Sequence, residues 1–165
     1  MNNISNEEKY NQIISTLEEF YSDYNKEAKL SLSAKMASVS SAIKNKFSEF
    51  TFVGFYVVEN KNELNKKVLE VGPYVSSILA VPRIEFGKGV CGSTWEKRET
   101  MIVNNVRTCN NYIACSGDVQ SEIVVPVFDE KGEEVIAVLD IDSNVLDRFD
   151  DVDRSQLEYI VNKFI

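Results

Sequence analysis

The residues of this sequence that are best suited to chemistry are thiols and carboxylates, because the 165-residue chain contains three cysteines and no histidine. Cys91 lies in the segment GKGVCG, where we expect a helix to begin. Backbone amides and the helix dipole at such a position favour a thiolate, so physical chemistry alone selects Cys91 as the reactive thiol. Cys115, in the small-residue turn ACSG, looks instead like loop filling. The alternative is that the thiols are buried and inert, as is common for free cysteine.

The segment LDIDS alternates apolar and acidic residues, so strand geometry places Asp140 and Asp142 on one face, about 7 Å apart. Glu122 opens a run of valines that precedes this segment in a predicted hairpin. If Glu122 pairs with either aspartate, three carboxylates form an acidic pocket; if it pairs with Ile141, Glu122 lies on the opposite face. We predict the first register, produced by a bulge at Gly132. A solvated sheet face is the alternative interpretation of this pattern.

Helices are predicted on both sides of the strand-rich region. A capping box from Ser5 to Glu8 begins a first helix that ends near Tyr24, and a second helix begins near Leu30. Asp150 and its neighbour cap a final helix. The apolar stripes of these helices predict that they pack on one face of a sheet, which leaves the LDIDS aspartates on the other face.

The middle of the sequence reads as strands joined by short turns. Strands are predicted at residues 50–59, 67–71, 77–86 and 101–106, followed by a hairpin over residues 122–143. A short helix that ends at Trp95 interrupts them. Two helices, a mostly antiparallel sheet and a closing helix describe one α+β domain.

The composition excludes several classes of protein. A net charge of −8 disfavours binding to nucleic acid. No apolar run approaches the roughly 18 residues needed to span a membrane, and no signal peptide is recognisable, so we expect a cytoplasmic location. An odd number of cysteines disfavours a disulfide framework, and the lack of histidine and of a C-x-x-C pair disfavours zinc. We therefore expect neither a metal nor another cofactor.

Several motifs occur together in one order between Phe52 and Ile165. They are GFY (54–56), GP (72–73), RIEFGKGVCG (83–92), IAC (113–115), SEIVVPV (121–127) and LDIDS (139–143). In this order and spacing the segment resembles the GAF-domain enzymes that reduce free methionine-R-sulfoxide. Any one motif is weakly specific, whereas the set is strongly specific and covers most of the chain.

The resemblance implies a single GAF domain over residues 1–165, with a six-stranded, mostly antiparallel sheet flanked by helices. It assigns Cys115 as the catalytic cysteine, against the choice made from physical chemistry, and Cys91 as the resolving cysteine. It also implies a substrate pocket that is lined by acidic and aromatic side chains: Glu122, Asp140, Asp142, Tyr56 and Phe52.

The implied reaction suits these residue types. A thiolate attacks the sulfur of the sulfoxide while an acid protonates the oxygen, and the resulting sulfenic acid condenses with a second thiol to a disulfide. Exchange with a thioredoxin-type reductant restores the thiols. A carboxylate whose pKa is raised by like-charged neighbours can supply the proton, so no histidine is needed. The other carboxylates can hold the ammonium group of a free amino acid, which selects the free substrate over methionine in a polypeptide.

The sequence departs from the family pattern at four positions. Val81 stands where the family usually has a further cysteine, and Phe52 where it has tryptophan. Tyr112 and Ser116 replace the histidine and aspartate that usually flank the catalytic cysteine motif. Cys109 matches no cysteine of the family, and is either inert or a substitute resolving thiol.

Two other functions remain as alternatives. A GAF module that only binds a small molecule has no need for both Cys91 and Cys115. A thiol redox switch would need the cysteines but not the carboxylates. A homodimer formed through the helices is an additional hypothesis.

Overall fold

The computed structural model describes residues 4–24, 29–61, 66–113 and 117–165. The helices are α1 (Asn6–Tyr24), α2 (Leu32–Lys46), α3 (Gly89–Lys97) and α4 (Asp151–Phe164), with a 3-10 turn at Val106–Thr108. The strands are β1 (Phe50–Lys61), β2 (Lys66–Ser76), β3 (Arg83–Glu85), β4 (Met101–Val103), β5 (Ser121–Phe128) and β6 (Val135–Ser143). They form one sheet in the order β3-β2-β1-β6-β5-β4, and every neighbouring pair is antiparallel. The predicted α+β class and six-stranded sheet are confirmed.

The first and last helices begin where the capping signals predicted them. The Ser5 hydroxyl accepts a hydrogen bond of 3.1 Å from the Glu8 N–H. Ser31 caps α2, one residue beyond the predicted start. Asp150 and Asp153 form a reciprocal capping box at α4. Among the described residues, no helix is both long and apolar enough to cross a membrane.

The predicted strand over residues 77–86 is wrong for most of its length. Only Arg83–Glu85 is a strand, and the segment before it contains Leu79, whose surface is 87% exposed. The reason is that β2 continues to Ser76, five residues beyond its predicted end. Residues 77–82 must therefore reverse the chain before β3 can pair antiparallel with β2. The predicted strand at 101–106 is likewise shorter and ends at Val103.

The sheet separates two hydrophobic clusters. One face carries Phe55, Leu139 and Ile141, which pack with the buried residues of α1, α2 and α4. The opposite face carries Phe52 and Tyr56, which pack with residues of α3. Because side chains alternate along a strand, the aspartates that flank Ile141 lie on this second face. The prediction that the two amino-terminal helices and the final helix pack on the face opposite the aspartates is confirmed, whereas α3 packs on the aspartates' own face.

A glycine in β1 permits a close approach of β2 on the second face. Gly54 lies opposite Tyr74 of β2 on one side and opposite Asp140 of β6 on the other. A Cβ atom on Gly54 would stand 2.2 Å from Tyr74 Cβ and 2.8 Å from Tyr74 Cα. Any side chain at residue 54 would therefore push the two strands apart.

We expect Gly54→Ala to lower the free energy of unfolding by about 1–3 kcal/mol, because backbone atoms must move to accept the methyl group. Urea unfolding followed by circular dichroism measures this. Gly117→Ala is the matched control, since no atom lies within 4 Å of its added Cβ. Equal stabilities of the two variants would contradict the prediction.

Candidate functional site

The register of the β5–β6 hairpin brings three carboxylates to one face. Glu122 pairs directly with Asp142, and Asp140 is two residues along the same strand face. On the β1 side, Phe52 lies opposite Asp142 and Gly54 opposite Asp140. The predicted register of Glu122 is therefore confirmed.

The bulge that produces this register is not at the predicted position. The ladder shifts between Val127 and Phe128, where β6 contributes Ile136 as the extra residue. Gly132 instead forms the turn, with a φ of +71°. The prediction of a bulge at Gly132 is wrong, although the one-residue shift that it proposed is present.

A buried thiol joins two of these carboxylates. Cys91 is the third residue of α3, and its Sγ atom and one oxygen each of Glu122 and Asp140 lie within 4.8 Å of one another. Asp140 accepts hydrogen bonds from the Cys91 thiol and the Glu122 carboxyl group. The three residues come from α3, β5 and β6, so only the folded chain brings them together.

Burial dominates the electrostatics of the pocket. It raises the pKa of Asp140 to about 7, against the opposing effect of hydrogen bonds from Cys91 and Glu122. Burial also raises the pKa of Asp142 well above its usual range, and the neighbouring charge of Asp140 raises it further. The buried aspartates therefore retain protons near neutral pH and can act as proton donors.

Aromatic side chains form a wall beside the carboxylates. The ring of Phe52 stacks with those of Tyr56 and Tyr74, with centroid distances of 6.3 and 5.3 Å. Phe52 and Tyr56 are fully buried. Sequence reasoning singled out these two and missed Tyr74. Gly54 was the feature of the sequence that could have indicated Tyr74, because a residue without a side chain leaves room for a large side chain on the neighbouring strand.

The chain that leads to Cys115 is attached to the beginning of α3. Cys115 itself lies outside the described residues. Asn111 Nδ2 donates to the Gly87 carbonyl oxygen at 3.0 Å and approaches Ser93 Oγ at 3.3 Å. Ile113 occupies the space beside Gly89, with its Cδ1 3.0 Å from where a Cβ would stand. Ile113, two residues before Cys115 in the sequence, therefore packs against Gly89, which lies two residues before Cys91.

The remaining sequence candidates lie near this cluster. Cys109 is half-buried and packs against the second hydrophobic cluster, as do Val81 and Tyr112. Neither Cys91 nor Cys109 forms a disulfide with a residue that the structure describes. Ser116 lies outside the described residues.

The fold and the site define a class of protein. Residues 31–164 match the GAF domain family, so the chain is a GAF domain protein. GAF domain-containing protein A of Dictyostelium discoideum is 37% identical over 157 residues, which cover 95% of this chain and 90% of that protein. The free methionine-R-sulfoxide reductase of Escherichia coli is 32% identical over 149 residues, which cover 87% of this chain and 85% of that protein.

Solved structures give the same result. The X-ray structure of free methionine-R-sulfoxide reductase from Neisseria meningitidis, in complex with its substrate, superimposes with a TM-score of 0.84 at 31% identity. The match covers 98% of this chain and 89% of that one. The chain belongs to the family of GAF-domain free methionine-R-sulfoxide reductases.

The raised pKa values predict how stability depends on pH. In the native state Asp140 and Asp142 keep their protons above the pH at which they lose them in the unfolded chain, which is about 4. This contribution to the free energy of unfolding is complete below about pH 4 and is lost as the pH rises through about 7, the native pKa of Asp140. We expect Asp140→Asn to show a smaller fall in stability between about pH 5 and 8, measured by urea unfolding. The exposed Asp23→Asn should follow the unmodified protein, and identical pH profiles for all three would contradict the prediction.

Proposed function

We propose that the protein reduces free L-methionine-(R)-S-oxide to methionine, with cysteine thiols as the source of electrons. The observation that carries this proposal is the buried cluster in which the Cys91 thiol and the carboxylates of Glu122 and Asp140 are in contact. A reducing thiol, a proton donor and an anionic recognition site are then present within one pocket. The similarity to the reductases of E. coli and N. meningitidis supports the same substrate.

The carboxylates explain the recognition of a free amino acid. Asp140 Oδ1 and Asp142 Oδ2 are buried and accept no hydrogen bond from any residue that the structure describes. An ammonium group supplies up to three donors and a positive charge, which satisfy both oxygens. A methionine within a polypeptide carries an amide in place of the ammonium group, so it lacks the charge that compensates for burial of the carboxylates.

The aromatic wall and the buried acid explain how the sulfoxide end is held. Phe52 and Tyr56 offer an apolar surface to the methyl and methylene groups of the substrate. Asp140, whose pKa burial raises to about 7, lies beside this surface and donates a proton to the sulfoxide oxygen. Phe52 retains the apolar wall that the family usually builds with tryptophan.

The redox steps use two thiols. Cys115 attacks the sulfoxide sulfur, the buried acid protonates the oxygen, and the oxygen is transferred to Cys115 as methionine is released. Cys91 then attacks the sulfenic acid, its thiol proton and the hydroxyl group leave as water, and a Cys91–Cys115 disulfide forms. The dithiol of a thioredoxin-type protein reduces this disulfide by exchange and becomes oxidised itself.

The packing of the preceding loop supports the pairing of these two cysteines. Asn111 forms hydrogen bonds with the segment 87–93, which contains Cys91, and Ile113 packs against the same segment. A disulfide requires Cα atoms roughly 4.4–6.8 Å apart, and Ile113, two residues before Cys115 in the sequence, packs against Gly89, two residues before Cys91. Val81 leaves only Cys91 as the matched resolving thiol, and Cys109 has no assigned step. A module that only binds small molecules has no use for a thiol hydrogen-bonded to the acid of its pocket.

We expect activity on the free R-sulfoxide and negligible activity on methionine sulfoxide within a peptide, because the buried carboxylates require the ammonium group. The free S epimer keeps this group but has the opposite configuration at sulfur, so it should also be a negligible substrate because its oxygen would not face the buried acid. The assay couples thioredoxin and thioredoxin reductase to the oxidation of NADPH. An N-acetylated R-sulfoxide is the sharpest control, since it differs from the substrate in this group alone. Comparable rates on the acetylated compound would refute the recognition model.

The cysteine variants separate attack from resolution. We expect Cys115→Ser to abolish even a single turnover, and Cys91→Ser to release one equivalent of methionine but not to be recycled by thioredoxin. Cys109→Ser is the matched control and should keep full turnover. Mass spectrometry of the protein after sulfoxide treatment should show a Cys91–Cys115 disulfide in the unmodified chain. A Cys115→Ser protein that still reduces the sulfoxide would end the assignment.

A further inference from the structure

We propose that Cys91, Glu122 and Asp140 form a binding site for a zinc ion in the reduced protein. The site uses the same pocket as the sulfoxide, so zinc and substrate exclude each other; only this consequence rests on the function proposed above. The binding itself follows from the geometry, the donor atoms and the burial of the cluster. The sequence disfavoured zinc because it has no histidine and no C-x-x-C pair.

The geometry of the three ligand atoms fits a zinc ion. The Cys91 sulfur and one oxygen each of Glu122 and Asp140 lie within 4.8 Å of one another. A tetrahedral zinc ion with bonds of about 2.0–2.3 Å holds its ligand atoms roughly 3.3–3.8 Å apart. Small side-chain rotations therefore convert the hydrogen-bonded cluster into a ligand set, with a fourth position for water.

The donor atoms select zinc among the common divalent cations. Magnesium and calcium prefer ligand sets made of oxygen only, whereas a thiolate favours a softer ion. The substrate's ammonium group also has no need of a sulfur ligand. A thiolate with two carboxylates is a negatively charged set that zinc accepts.

The buried oxygens of the pocket give independent support for a bound cation. Asp140 and Asp142 are each 2% exposed. Asp140 Oδ1 and Asp142 Oδ2 have no hydrogen-bond donor among the residues that the structure describes. Buried carboxylate oxygens without donors are costly unless a cation or a proton compensates them. Asp142 adds a carboxylate on the same face, directly opposite Glu122, and increases the attraction for a divalent ion.

Zinc bound in this site would inhibit the reductase reversibly. Bound as a thiolate ligand, Cys91 could not resolve a sulfenic acid, and the carboxylates could not receive the ammonium group. Inhibition by zinc should therefore be competitive with the sulfoxide and be reversed by a chelator. It should also protect Cys91 from alkylation.

Cobalt serves as the spectroscopic probe for the site. We expect one Co²⁺ ion to bind the reduced full-length chain with a thiolate-to-cobalt charge-transfer band, and Zn²⁺ but not excess Mg²⁺ to displace it. Cys91→Ser should lose the band, and Glu122→Gln should weaken binding roughly tenfold or more. Cys109→Ser is the matched control and should retain both. Circular dichroism establishes that each variant is folded.

Different outcomes separate this proposal from the proposed function. A band that persists in Cys91→Ser, or that is lost in Cys115→Ser but not in Cys91→Ser, overturns the zinc site. Absence of a charge-transfer band in the unmodified chain, or alkylation of Cys91 at the same rate with and without Zn²⁺, overturns it as well. If cobalt binds as expected while no reduction of the sulfoxide is found, the zinc site stands and the reductase assignment fails.

Discussion

The contact between buried carboxylates on β5 and β6 is the constraint on which the rest of the structure depends. Glu122 and Asp142 face each other across the two strands, and Asp140 lies beside them in contact with Cys91. Removing carboxylates from water is expensive, and their mutual repulsion adds to the expense. Protons that remain bound to the aspartates near neutral pH reduce this cost, and the proposed reaction needs the same protons.

The opposite face of the sheet supplies the stability that the pocket lacks. Three helices cover it, and a second charged cluster at its edge is organised quite differently. Arg148 pairs with Glu49 and with the buried Asp153, which also accepts a hydrogen bond from the Tyr10 hydroxyl. Opposite charges meet in this cluster, whereas like charges meet in the pocket. The first arrangement fastens α1 and α4 to the beginning of β1, and the second leaves donors and acceptors for a ligand.

The separation of the two faces explains how one domain can serve both purposes. Side chains alternate between the two faces of β6 from Ala137 onward, so Leu139 and Ile141 belong to the helical core while their acidic neighbours belong to the pocket. A slip of one residue in the β5–β6 ladder would bury Glu122 against the helices and remove it from the pocket. The bulge between Val127 and Phe128 is therefore as important to the site as any residue in it.

The sequence by itself determined the features that depend on neighbouring residues. Alternation in LDIDS showed that Asp140 and Asp142 share a face, and the capping residues Ser5 and Asp150 marked helices that the structure contains. These signals are local, because a strand repeats every two residues and a cap acts within one turn. The resemblance of short motifs, not physical chemistry, selected Cys115 over Cys91 as the nucleophile.

Only the tertiary structure decided the features that depend on residues far apart in the chain. These features are the register of Glu122 and the position of the bulge, which lies within the hairpin strands and not at Gly132. They also include the short length of the strand within residues 77–86 and the stacking of Tyr74 on Phe52. The tertiary structure also joined Cys91 to Asp140 and Glu122, which no spacing in the sequence suggested. The physical reason is that pairing between strands and contact between a helix and a sheet are settled by packing over the whole domain, and local periodicity carries no record of them.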